Sequence, residues 1–283
     1  MKQQLILTGA GVLLLAGLLV FSRTGPVKKT NSPDTVAQQA PAFDISQYIR
    51  QQKKKLNSNQ VNYVTAIENG IGRGDVANQQ INADNQLAAF WKDSANQFEP
   101  YIYYLSKASK LENSEKTLTF AARNLEEYLR NEQDAAKRIW MADEAIDLFE
   151  KAILLNPSDK SLLVEMGACY VYGYAATGRA DKAMKGILML KDLADKDSTN
   201  LKANMLVGIG GVISGQYDKA IARLTNVVNQ QPDNVEAISY LADAYAGKGD
   251  KTAAVSWLER SKKILKDPGF TKAVDERINE INK

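Results

Sequence analysis

The chain contains no histidine in its 283 residues. That excludes Ser-His-Asp and Cys-His catalytic arrangements, and every zinc site that needs an imidazole. It contains one cysteine, Cys169. A single thiol forms no intramolecular disulfide and no thiolate cluster for a metal, so a reducing and an oxidising compartment fit equally well. Proline is scarce after Phe43, where it occurs only at Pro100, Pro157, Pro232 and Pro268. Strand-like alternation is nearly absent. A concentrated basic face is missing too. The net charge is +3, and Lys2, Arg23, Lys28 and Lys29 against Asp34 account for all of it. The rest of the chain is balanced, which argues against nucleic-acid binding.

What remains is the composition of a folded chain, with 45% hydrophobic and 24% charged residues. One long apolar run stands out. Leu5–Phe21 has no charge, and Thr8 is its one polar side chain. It lies at the short end of the roughly 17–25 residues that span a bilayer as a helix. A cleaved signal peptide would carry an apolar region of about 7–15 residues and a small-residue cleavage site. This run is longer, and Val20-Phe21-Ser22-Arg23 matches such a site poorly. Residues 1–22 are therefore expected to form an uncleaved transmembrane helix. Lys2 on one flank and Arg23, Lys28 and Lys29 on the other give little charge bias. The side of the membrane stays open between cytoplasm and periplasm. Residues 23–42 hold three prolines and few apolar side chains, and read as a linker.

From Phe43 onward the apolar positions recur at three and four residues, as in Ala145, Ile146, Leu148, Phe149, Ala152 and Ile153. That is the stripe of an amphipathic helix. A longer period is superimposed. Gly208 falls on Ala242, Gly215 on Gly249, Ala220 on Ala254, Ile221 on Val255 and Leu224 on Leu258, each 34 residues apart. Small residues let helices approach closely, and large residues from neighbouring units fill the remaining holes.

These residues resemble the tetratricopeptide-repeat family. Gly208, Gly215, Tyr217, Ala220, Leu224 and Pro232 follow its pattern, as do Leu241, Ala242, Tyr245, Gly249, Ala254 and Leu258. Ala145, Phe149, Ala152 and Pro157 match its second helix. Gly167 and Tyr170, with Ala183 and Ile187, begin a further unit. Ala89, Leu105, Ala108 and Leu111 give a fainter first one. The resemblance implies an all-α helical-repeat solenoid with N-terminal helices over 43–81 and five units over 82–115, 116–159, 160–200, 201–234 and 235–268. Residues 269–283 are expected as a capping helix. The spacing between Ala122 and Ala145 exceeds the regular one, and Leu125 to Trp140 is expected to lengthen both helices of the second unit by about a turn or more each. The layout of one span, a linker and repeats also resembles anchored repeat proteins of bacterial membranes, and mitochondrial import receptors of the outer membrane share it. A single-pass protein of the bacterial inner membrane is the expectation.

The resemblance also implies a concave partner-binding groove lined by Glu165, Tyr172, Met205, Ile209, Tyr240 and Asp243, with Glu236 and Ala246 at neighbouring groove positions. Chaperone-binding members hold a terminal carboxylate with Lys and Asn. Here those positions are Val164 and Ala168, Met205 and Ile209, Ser239 and Asp243, so that clamp is missing. An apolar groove with acidic edges suits an apolar or amphipathic peptide. Gly208-Ile209-Gly210-Gly211 has no preceding strand and no following Gly-Lys-Ser/Thr, so it reads as helix packing and not as a phosphate loop. No catalytic residue, cofactor or metal is expected. The expected function is a membrane-anchored adaptor that holds a protein or peptide partner. The alternative is a self-associating structural component, a homo-oligomer in a membrane complex.

Overall fold

A computed structural model describes residues 42–70 and 76–283. The anchor expected over 1–22, almost all of the linker, and the break at Ile71–Gly74 lie outside the described residues. Among the described residues there are thirteen α-helices and no strand, and no helix is long and apolar enough to cross a membrane. The helices are α1 Ile45–Lys53, α2 Ser58–Asn69, α3 Val76–Ala89, α4 Phe98–Glu112, α5 Glu115–Leu129 and α6 Ala135–Leu155. There follow α7 Lys160–Tyr174, α8 Ala180–Lys196, α9 Leu201–Ile213, α10 Tyr217–Gln230, α11 Val235–Lys248, α12 Lys251–Ile264 and α13 Pro268–Asn282.

The described residues group into two bodies. One holds 42–128 and 139–166, and the other holds 129–138 and 167–283. In the second body each helix from α8 to α13 packs on the next, and α9 also packs on α11. The 34-residue period is visible as repeated local chemistry. Asn200 accepts from the Ala203 amide at 3.0 Å, and Asn234 accepts from the Ala237 amide at 3.0 Å. Each thereby satisfies one of the orphan donors at a helix start. Gly215 and Gly249 end the first helices with φ of +73° and +91°, a region in which a side chain is strained. Leu224 and Leu258 are both fully buried, as are Ala220 and Ala254 to within 1%. Gly208 shows why the family pattern wants a small residue here. A Cβ at Gly208 would meet Leu224 Cγ at 2.7 Å.

Helix α9 is apolar on nearly every side, and most of it is buried, which marks an internal helix. Helix α10 buries Ala220, Leu224, Val227 and Val228 along one stripe. The array ends on α13. Asp267 accepts from the Phe270 amide at 2.8 Å, and Pro268 occupies the first turn, where its missing N–H costs nothing. Phe270, Val274 and Ile281 are buried against Ala254 and Leu258, with Ala273 and Ile278 partly buried beside them.

The first body is less regular. Helix α3 runs through residues 81–82 and passes into a π-helical turn, Phe90–Ser94, that carries the fully buried Trp91. Asp84 on α3 is fully buried and is satisfied by Lys107 Nζ at 3.0 Å and Gln80 Nε2 at 3.0 Å. Lys110 on α4 reaches Glu144 at 2.5 Å and Asp147 at 2.8 Å on α6. Phe98 and Tyr128 stack with their rings 8° from parallel. Helices α5 and α6 have 15 and 21 residues against 13 and 14 in α9 and α10, so α6 gains about two turns and α5 only about half of one.

Candidate functional site: an occupied helix face

The extra length between Ala122 and Ala145 is only partly helical. Residues 130–134 connect α5 to α6 and fold tightly on themselves. Asp134 accepts from the amides of Ala136 at 2.8 Å and Lys137 at 3.0 Å, and so caps α6. Its own amide donates to Glu132 Oε1 at 2.7 Å. Arg138 Nε returns from the first turn of α6 to donate to the Glu132 carbonyl at 2.9 Å. Leu129 and Arg138, at the two ends of the segment, are buried.

The segment sits on the second body. The Arg130 guanidinium lies over the Tyr172 ring, 4.8 Å from its centroid. Its Nη1 lies 3.4 Å from Glu236 Oε2, across 106 residues of sequence. The Tyr172 hydroxyl donates to Glu236 Oε1 at 2.5 Å. One carboxylate thus receives a phenol on one oxygen and a guanidinium on the other, while the phenol ring supplies a π face to the same cation. Burial raises the Tyr172 hydroxyl well above its ordinary pKa, and the Glu236 charge adds to this against the opposing Arg130. It therefore stays a donor at any physiological pH.

Tyr240 extends the layer one helical turn along α11. Its hydroxyl is also pushed far up, first by burial, then by Glu236 and Asp243, with Arg138 and Arg130 opposing. Arg138 is lowered by burial, against Glu132 and Tyr240, yet an arginine remains charged. Asp243 is buried and pairs with Arg277 Nη2 of α13 at 3.1 Å. The acidic side chains of this face therefore meet arginines from the chain itself.

The six residues expected along the groove have three different fates. Tyr172, Tyr240 and Asp243 come together in this layer. Met205 and Ile209 are 6% and 1% exposed, and Met205 Sδ lies 3.8 Å from Asn234 Nδ2. Glu165 belongs to the first body, where it accepts from Arg123 Nε at 2.9 Å. Sequence reasoning missed Arg130, Arg138 and Arg277. The signal for the first two was the irregular spacing between Ala122 and Ala145, which marks an inserted segment but not its destination.

A second surface lies on the second body. Met184, Ile187, Leu188 and Val207 line a cleft of about 570 Å³. Its rim includes Lys191 and Arg223, and both pair with Asp195 at 2.5 Å. Leu188 is 60% exposed. Among the described residues no group of three or more Cys, Asp or Glu side chains is placed to hold a metal ion.

Helix pairs with small residues at their crossings, a 34-residue period and a polar face on α11 invite comparison with known families. Residues 212–269 match the family described as tetratricopeptide repeat. This tetratricopeptide-repeat match spans α10–α12, the helices in which the repeated turn and leucine positions are clearest. No curated protein sequence matches the chain. Several solved structures are similar. One is YrrB, titled as a tetratricopeptide-repeat protein with an unusual peptide-binding site. It is 20% identical, with 75% of this chain and 95% of that one covered, at a TM-score of 0.43. Another is a thermophilic tetratricopeptide-repeat protein of Thermus thermophilus, 15% identical, covering 72% and 98%, at 0.49. A third is PilW, titled as a type IV pilus biogenesis factor, 18% identical, covering 74% and 91%, at 0.47.

Proposed function

We propose that the protein is a non-catalytic, membrane-tethered adaptor that holds a protein or peptide partner on the face formed by Tyr172 of α7 and by α11. One observation carries this reading. The face already holds a peptide segment, with Arg130 seated on Tyr172 and Glu236. A surface that seats a distant stretch of its own chain has the shape and the polar groups to seat a similar stretch of another. Residues 5–21 supply the tether, as a single span of the bacterial inner membrane. Tethering raises the local concentration of the partner, so each contact can be weak.

Photocrosslinking in native membranes tests the reading. A photoreactive residue is placed at Ala246 on α11 and, separately, at Leu188 on α8. A partner adduct from Ala246 and none from Leu188 is expected. An adduct from Leu188 alone would move the site to the α8–α10 cleft. Adducts that contain only a second copy of the chain would replace the adaptor by a self-associating component. Removal of residues 5–21 is expected to shift the protein out of the membrane fraction.

A further inference from the structure

We infer that Leu129–Arg138 is a built-in ligand of the α7–α11 face, and that the face recognises an arginine-bearing peptide segment of its partner by exchange with this one. The inference rests on the adaptor reading and gives its site a ligand chemistry.

Residues 130–134, the connector between α5 and α6, belong to no helix, and the Asp134 amide and Glu132 carbonyl are satisfied within the segment itself. Nothing in the repeat pattern requires ten residues at this place. Yet they group with residues 167–283, while 115–128 and 139–155, on either side in the chain, group with the first body. The segment therefore relates to the face as a peptide relates to a receptor.

The chemistry of the seat is specific. Tyr172 offers a flat ring, and Glu236 offers an oxygen held in place by the Tyr172 hydroxyl. A planar guanidinium stacks on the ring and donates to the carboxylate at the same time. An ammonium cannot stack in this way, and it is more strongly hydrated. Tyr240, one turn along α11 from Glu236, feels the charges of both Arg130 and Arg138. The segment that fits is thus one that presents an arginine to the Tyr172 ring and the Glu236 carboxylate together, as Leu129–Arg138 does.

The fit of the resident segment is imperfect, which is what exchange requires. Asn131 Oδ1 is buried without a hydrogen-bond partner. A buried acceptor with no donor weakens the closed state. Arg138 commits its Nε to a carbonyl of the segment itself, so that donor adds nothing to the hold on the face. A partner segment without the buried, unsatisfied amide would displace the connector, although the connector competes at the high effective concentration of a tethered ligand.

The test uses the full chain and a labelled peptide of the connector sequence, LRNEQDAAKR. Two proteins are compared, the wild type and the double variant Arg130→Ala/Arg138→Ala. Fluorescence anisotropy is expected to show the peptide binding the double variant at least tenfold more tightly than the wild type. A peptide with both arginines replaced by lysine is expected to bind at least fivefold more weakly. Equal affinity for the two proteins, no binding to the variant, or equal affinity of the two peptides would each overturn the inference. Hydrogen exchange of the wild type needs no variant to fold. Saturating arginine peptide is expected to speed exchange of the amides of residues 131–134, and the lysine peptide to leave them unchanged. No acceleration overturns the inference. If the partner adduct from Ala246 persists while the peptide fails, the ligand chemistry falls and the adaptor reading stands. If both fail, the reading falls with it.

Discussion

Between α9 and α12 the helices meet through glycine, alanine and leucine. Between α3 and α6 they meet through aromatic rings and ion pairs. Gly208 against Leu224, with Ala220, Ala254 and Leu258 fully or almost fully buried, forms the first kind of contact. Trp91, the Phe98–Tyr128 stack, Asp84 with Lys107, and Lys110 with Glu144 and Asp147 form the second. The first kind is non-directional and depends on shape alone, so it can be copied every 34 residues. The second kind depends on orientation and on matched charge, so each contact is particular to its place. Regularity in the sequence thus follows the type of packing and not the presence of helices.

The largest effects should test whether the two copies are equivalent. Leu224→Ala and Leu258→Ala are each expected to cost about 2–5 kcal/mol, since both delete a fully buried side chain. Denaturant melts should place the two losses within about 1 kcal/mol of each other. A wide gap would show that equal sequence does not mean equal packing. Next comes the close approach. Gly208→Val is expected to cost about 1–3 kcal/mol through overpacking against Leu224. Combined with Leu224→Ala it should cost less than the two separate losses, because one change makes room for the other. Additive losses would deny that these two residues touch in the way described.

The polar half of the comparison is probed by Lys107→Met. It removes one of the two donors to the buried Asp84 and should cost about 1–3 kcal/mol. A neutral result would make that pair dispensable. The caps come below this. Asn200→Ala and Asn234→Ala should each lose about 0.5–2 kcal/mol by the same melts, again nearly equally. The smallest effect concerns pH. Burial raises the Asp147 carboxyl, but hydrogen bonds from Lys110 and Lys151 outweigh it and hold the group below the usual carboxylate range. Its contribution is therefore present above about pH 4 and lost as pH falls through the folded value. Burial lowers the Lys110 ammonium, but Glu144 and Asp147 outweigh it and hold the group up, so its contribution is lost only as pH rises above about 10. An acid titration of helicity should show a later loss for the wild type than for Glu144→Gln/Asp147→Asn. Coincident curves would remove the ion pairs from the account.

The same contrast explains what could be read from the sequence. The caps, the left-handed turns and the leucines of 201–268 recur at a fixed spacing, and local chemistry dictates each of them. The apolar character of α9 was equally visible. A helix apolar nearly all round belongs inside, so Met205 and Ile209 carried a sign of burial that the groove positions of the family pattern overrode. The π turn at Phe90–Ser94 and the stacked pair Phe98–Tyr128 have no periodic trace. Nor does the seat of Arg130. Nothing near residue 130 specifies Glu236, because that contact is set by the packed helices between them and not by any short pattern.

The distance between those two residues along the chain also orders events in time. Contacts within 201–268 span a few tens of residues and close cheaply, whereas Arg130 and Glu236 must join the ends of a much longer loop. Synthesis runs in the same sense, since residue 130 leaves the ribosome well before residue 236 exists. The connector therefore waits for its seat. The α11 face thus comes into being with the connector already tethered beside it, so the seat meets its own segment before any other.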